Sequence, residues 1–169
     1  MMINTTGQGR AFYIDQLIGN DSNSGFNTEN AWATISKINN TIFDAGDSVL
    51  FCGGQTFTGT IHFKNQDGTK EQSITISSYG AGRATISGEN AEALIADSCS
   101  FISIQNLNFT GAGRKNANIT SGVLIHICNN ISVDSVDVSG FQKAGIKITD
   151  SGNIKVTHVH AFENGFAGI

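Results

Sequence analysis

Residues 101–111 read FISIQNLNFTG and residues 130–140 read NISVDSVDVSG. At an offset of 29, Ile102 meets Ile131, Ile104 meets Val133, Leu107 meets Val136, Phe109 meets Val138 and Gly111 meets Gly140. A second step of 23 carries Ile131 to Ile154, Val133 to Val156, Val136 to Val159 and Val138 to Ala161, and in parallel Val123 to Ile146 and Ile125 to Ile148. The six extra residues of the longer step fit in the polar run GAGRKNANITSG, a loop by composition. Upstream, SITISSYG places Ile74 and Ile76 opposite Ile102 and Ile104, and DSVLFCGGQTFTGTIHF supplies an earlier, less regular turn, so that about five turns are visible.

Each turn holds apolar alternations of three or four residues, separated by Gly, Asn, Asp or Ser corners. That is a strand pattern, too short for helices. A unit of this length cannot bury its own apolar face, and stacking on its neighbours does so instead. A leucine-rich repeat would show a Leu-dominated consensus, and a propeller blade would need roughly twice the period. The spacing therefore predicts an all-β chain, a parallel β-helix of about five rungs with strands ~4.8 Å apart.

Such a column needs an end cap, because its last rung exposes unpaired strand groups and an apolar cross-section. Residues 1–45 do not repeat and are expected to be that cap, with residues 46–169 forming the rungs. Trp32, Ile35, Ile38 and Ile42 recur at spacings of three and four, one face of a short α-helix. At the other end, ENGFAGI begins another rung at Gly168-Ile169, so either the rungs continue in a longer parent protein or the open rung associates with a second copy.

A net charge of -4 with 14% charged residues offers no basic face to a phosphate backbone, which argues against nucleic acid as partner. No stretch approaches the roughly 18 apolar residues of a membrane span. Three cysteines exclude a complete disulfide framework, and Cys99 and Cys128, 29 apart, are expected to stack as small buried residues.

The segments FYIDQLIGNDSNSGFNTENAWATISKIN, AGDSVLFCGGQTFTGTI and SITISSYGAGRATISG resemble the opening of secreted bacterial right-handed parallel β-helix proteins of the pectate lyase superfamily. The loop Asp15 to Gly25, the helix Trp32 to Lys37, and the strands Gly46 to Gly54 and Ile74 to Gly80 carry the likeness, in the family's order, over about half of the chain. A proline common near the end of the last strand is missing, where Gly82-Arg83-Ala84 stands. The resemblance implies a right-handed coil, an extracellular, periplasmic or cell-surface location, and action on a polysaccharide or oligosaccharide, as a lyase ahead of a glycoside hydrolase. Since the family's active residues lie on central rungs, it also implies that these 169 residues are a non-catalytic cap and first rungs. The alternative is a structural or glycan-binding module of the adhesin or tail-spike kind. Aromatics at 8%, with one Trp, speak against strong glycan binding by this chain alone.

Residues between the apolar positions point outwards. They stack as Ser103, Ser132 and Lys155, as Gln105, Asp134 and Thr157, and as Asn108, Asp137 and His160. A lyase needs a cation or Ca²⁺ to neutralise a uronate and a base to remove the adjacent proton, and a hydrolase needs two carboxylates flanking a sugar. Asp134, Asp137, Lys155 and His160 are the catalytic candidates on this face. An exposed face must be polar in any case, and four ionisable residues over two repeats are close to what composition alone supplies. Asp15, Asp21, Asn23 and Glu29 bring hard oxygen donors for a structural Ca²⁺ to one loop, whose Asn and Asp side chains equally suit bonds to their own backbone.

Overall fold

The β-branched alternations become strands that lie side by side at the offsets of the repeat. The computed structural model describes residues 9–116 and 118–169, so the first eight residues of the expected cap lie outside the described part. In chain order the strands are β1 (Ala11–Ile14), β2 (Ser48–Cys52), β3 (Thr56–Thr58), β4 (Ile61–Lys64), β5 (Ile74–Tyr79), β6 (Ala84–Glu89) and β7 (Leu94–Asp97). They continue as β8 (Ser100–Gly111), β9 (Val123–His126), β10 (Asn129–Ser139), β11 (Ile146–Thr149) and β12 (Lys155–Phe162). A 3₁₀ turn at Thr28–Asn30 and a five-residue helix, α1 (Ile35–Asn39), complete the described secondary structure.

Two parallel sheets result. One runs β1-β2-β5-β8-β10-β12, with β6 also joined to β8 and β3 joined to β6, and the other runs β11-β9-β7-β4. The register reproduces the alignment, with Ile102 opposite Ile131, Val133 opposite Val156, and Val123 opposite Ile146. Parallel, in-register pairing stacks like on like. Phe12, Val49, Ile76, Ile104, Val133 and Val156 form one such file, and Phe57, Ile86, Phe109, Val138 and Ala161 another. Side chains from both sheets join one buried cluster, and each fully buried Val, Ile or Phe contributes about 1.5–3 kcal/mol.

The long strands β8, β10 and β12 bend at a left-handed residue, Asn106, Ser135 and His158, with φ of 54°, 54° and 49°. The bend explains why residues three apart both face outwards. Val133 and Val136 point inwards on either side of Ser135, and Asp134 and Asp137 follow them on the outer face. At the strand ends Gly140 has φ +81°, and a Cβ on Gly111 would sit 2.6 Å from the Gly140 carbonyl oxygen. The glycine match therefore reflects backbone crowding between neighbouring turns.

At the first end Trp32 bridges to Ile14, stacks on Phe12 with centroids 4.9 Å apart, and donates its indole N–H to the Asn23 carbonyl at 2.9 Å. Helix α1 starts at Ile35 because the Thr34 hydroxyl accepts from the Lys37 N–H. Ile35 and Ile38 are buried as expected, but the four-residue face is not complete. The backbone leaves the helix at Asn40, so Ile42 lies past it and is 83% exposed, while Phe43 turns inwards and stacks on Phe63. Cys99 and Cys128 are buried free thiols, with the Cys99 N–H pointing to the Cys128 sulfur at 3.4 Å.

Asp47 fastens the start of β2 to Arg10. Its buried carboxylate accepts from the Arg10 N–H at 2.8 Å, from the guanidinium at 2.6 Å and from the Asp44 N–H at 2.9 Å. Burial pushes this carboxyl up, but the Arg10 contacts and the Asp44 N–H outweigh it and hold it below the usual range. A depressed carboxyl stabilises the fold above its unfolded value of about 4, and that stabilisation is lost as pH falls through the folded value. Asp47→Ala is expected to cost about 1–3 kcal/mol in urea denaturation at neutral pH, the solvent-exposed side of Arg10 keeping the figure low. The gap between wild type and variant narrows below about pH 4.

Candidate functional site

Asp134, Asp137, Lys155 and His160 all lie on the outer face of β10 and β12, where the register sets Lys155 beside Ser132, Thr157 beside Asp134 and His160 beside Asp137. Asp134 is the most heavily engaged of the four. Its Oδ1 accepts from the Thr157 hydroxyl at 2.6 Å and lies 2.8 Å from His158 Nδ1, and its Oδ2 accepts from the Ser135 hydroxyl at 2.9 Å. The Thr157 hydroxyl first, then His158 and Ser135, hold its carboxyl down at about 2.

A hydrolytic proton donor needs a carboxyl raised towards neutrality. Asp134 stays an anion throughout the physiological range and serves as an acceptor. His158 Nδ1 faces the Asp134 carboxylate, the geometry in which an Nδ1–H donates to it. The His158 side chain is 79% exposed. The pair sets an exposed imidazole against a carboxylate, and Lys155 on the same strand adds an exposed cation.

Asp137 pairs instead with Arg83, at 3.1 Å, reaching across from the start of β6. Beside it the His160 ring stacks on Phe162, with centroids 4.6 Å apart and planes at 26°. The structure thus gathers the four candidates on one face but gives the two aspartates separate partners, His158 for Asp134 and Arg83 for Asp137. His158, Arg83 and Phe162 are not visible in the alignment as members. His158 occupies the corner position, which falls outside the in-and-out alternation, and Arg83 arrives from a different turn. A histidine following a threonine paired with an aspartate was the available signal.

The loop after β1 uses its acidic groups on itself. Asp15 Oδ1 accepts from the Leu17 and Ile18 N–H groups and from the Gln55 side chain. Burial raises the Asp15 carboxyl, and those hydrogen bonds more than offset it. Asp21 accepts from the Ala33 and Thr34 N–H groups and from the Thr34 hydroxyl at 2.6 Å, just ahead of α1. Asn23 donates to the Ala31 carbonyl, and Glu29 lies exposed in the 3₁₀ turn. Among the described residues, no group of three or more His, Cys, Asp or Glu side chains is placed to hold a metal ion.

No protein-family profile matches the chain. A lacto-N-biosidase of Bifidobacterium longum is 35% identical over 79 residues, which is 45% of this chain and 5% of that protein. A GH136 lacto-N-biosidase from Eubacterium ramulus superposes with a TM-score of 0.74 at 17% identity, over 89% of this chain and 34% of its own. An alginate lyase from Paenibacillus sp. gives 0.67 at 21% identity, over 90% of this chain and 46% of its own. The chain shares the fold of these solved enzymes and spans under half of the length of each.

If Thr157 is the main brace of the carboxylate, Thr157→Val raises the Asp134 carboxyl from about 2 towards the ordinary aspartate value of about 3.9. A carboxyl-carbon NMR titration reads this directly.

Proposed function

We propose that this chain supplies the cap, residues 1–45, and the first rungs, residues 46–169, of a right-handed parallel β-helix that acts extracellularly or at a cell surface on an oligosaccharide, and that these residues do not themselves turn it over. The observation that carries the reading is the 35% identity to a lacto-N-biosidase, which puts glycoside hydrolysis ahead of elimination as the chemistry served. The parallel, in-register pairing at the offsets of the repeat supports the β-helix. The Arg83 partner of Asp137, which engages the second carboxylate of this face, supports a scaffold role for these rungs. A second reading rests on His158, which contacts Asp134 and lies three residues along β12 from Lys155: a base and a cation are the requirements for eliminating across a uronate.

Incubation with lacto-N-biose-terminated oligosaccharides and with uronate polysaccharides separates these readings. Neither new reducing ends nor unsaturated ends are expected from the chain. Reducing ends that disappear in Asp134→Asn overturn the scaffold reading, and unsaturated ends that disappear in His158→Gln establish the second one.

β11 and β12 close the two sheets on one side, and Phe162, Phe166 and Ile169 are exposed there. We take this edge as the place where a second copy adds on. Sedimentation velocity is expected to show mass increasing with concentration, and a strict monomer at the highest concentration counts against it.

A further inference from the structure

Two buried thiols have their relation fixed by the pairs on either side of them. Asp97 lies opposite His126 and Ser100 opposite Asn129, so the register sets Cys99 directly opposite Cys128 in the next turn of chain. Both are free, at 2% and 3% exposure. Parallel neighbours stand about 4.8 Å apart, inside the span of about 4.4–6.8 Å between Cα atoms that a disulfide bridges. The Cys99 N–H points to the Cys128 sulfur at 3.4 Å, and the two thiols interact directly. The Cys128 thiol leans towards the turn that carries Cys99, donating to the Ala96 carbonyl at 3.4 Å. The third cysteine is not part of this arrangement, since Cys52 stands at the end of β2 beside Tyr79 and Asp15.

The place itself does not demand sulfur. One turn further on, the bridge between Asn129 and Gly152 puts Ser151 opposite Cys128. The Ser151 hydroxyl accepts from the Cys128 N–H at 2.9 Å, as the Cys128 sulfur does from the Cys99 N–H. A hydroxyl therefore meets the local bonding need, and is a better acceptor than sulfur. What two successive cysteines add is thiol chemistry.

From this pairing we infer that Cys99 and Cys128 are a modification site, joined by a disulfide when the chain folds in an oxidising compartment that supplies a disulfide donor. One cysteine thiolate attacks the donor's S–S bond and releases the first donor thiol, and the other cysteine then displaces the second. The bond between Cys99 and Cys128 forms, the donor is reduced to two thiols, and the two cysteine protons end on them. Burial pushes the Cys99 thiol up to about 11 and raises the Cys128 thiol as well, so both stay protonated and slow to react in the folded chain. The exchange belongs to folding. The ring so closed holds residues 100–127, among them the loop with Arg114 and Lys115, and ties both ends of that stretch at one corner. The inference is independent of any saccharide the chain serves.

The test is refolding of the 169-residue chain from urea in mixed oxidised and reduced glutathione, with and without Cys52→Ser, followed by alkylation of the remaining thiols and tryptic mapping. Cleavage at Arg83, Arg114, Lys115 and Lys143 puts Cys99 in residues 84–114 and Cys128 in residues 116–143, so the bond appears as one linked peptide that splits on reduction. That peptide is expected as the main product in both chains, with Cys52 alkylated where it is present. The oxidised chain is expected to melt about 5 °C or more above the reduced one. Cys99→Ser combined with Cys128→Ser, which repeats the Ser151 arrangement, should melt at the same temperature with and without reductant. Two free thiols, glutathione adducts in place of the linked peptide, links only between chains on a non-reducing gel, or an oxidised chain that melts at or below the reduced one overturns the inference.

Discussion

Everything in this molecule depends on parallel strands pairing with their own equivalents in the next turn of chain. A strand that pairs this way satisfies its backbone on one neighbour and offers the same pattern to the next, so position is inherited from turn to turn. Apolar residues then meet apolar residues in unbroken files such as Val49, Ile76, Ile104 and Val133. A displacement of one residue along β10 would put Asp134 and Asp137 into the core and Val133 and Val136 into solvent, so the register is strongly held.

The same inheritance governs what can be built on the outside. Side chains that face outwards also form files, but no packing constraint acts on them, and each file changes character along the column. Thr85, Asn108, Asp137 and His160 occupy equivalent places and share only polarity. Chemistry on such a face depends on who stands next to whom across turns. Thr157 braces Asp134 because the register puts them side by side, and Arg83 reaches Asp137 from a turn further away.

What the sequence made legible follows from this. Buried positions repeat as Ile, Val, Leu or Phe, so the files and their offsets of 29 and 23 were readable, and so were the outward columns derived from them. The corners were not. A left-handed residue occurs as Asn106, Ser135 and His158, three side chains with no common size or charge, because the requirement falls on the backbone. Since His158 sits at such a corner, its partnership with Asp134 was missed while His160 was named. The spacing predicts a cap helix too long at both ends, because it records the apolar residues but neither that Trp32 precedes the Thr34 cap, bridged to Ile14, nor that Asn40 ends the helix. The oxygen-rich loop holds enough donors for an ion in its composition, and only hydrogen-bond geometry shows Asp15 and Asp21 turned to backbone N–H groups.

The unequal repeat lengths carry one more consequence. Between β8 and β9 the chain takes an excursion through residues 112–122 and returns, and the strands on either side pair as though the two steps were of one length. Spatial periodicity is therefore independent of sequence periodicity. Length can be gained or lost in the exposed stretch Arg114–Asn116 while the buried contacts of Asn118 and Gly122 are kept. A chain of this kind is free to change the loop it displays by editing one excursion, while the framework that presents it goes on folding by the same rule.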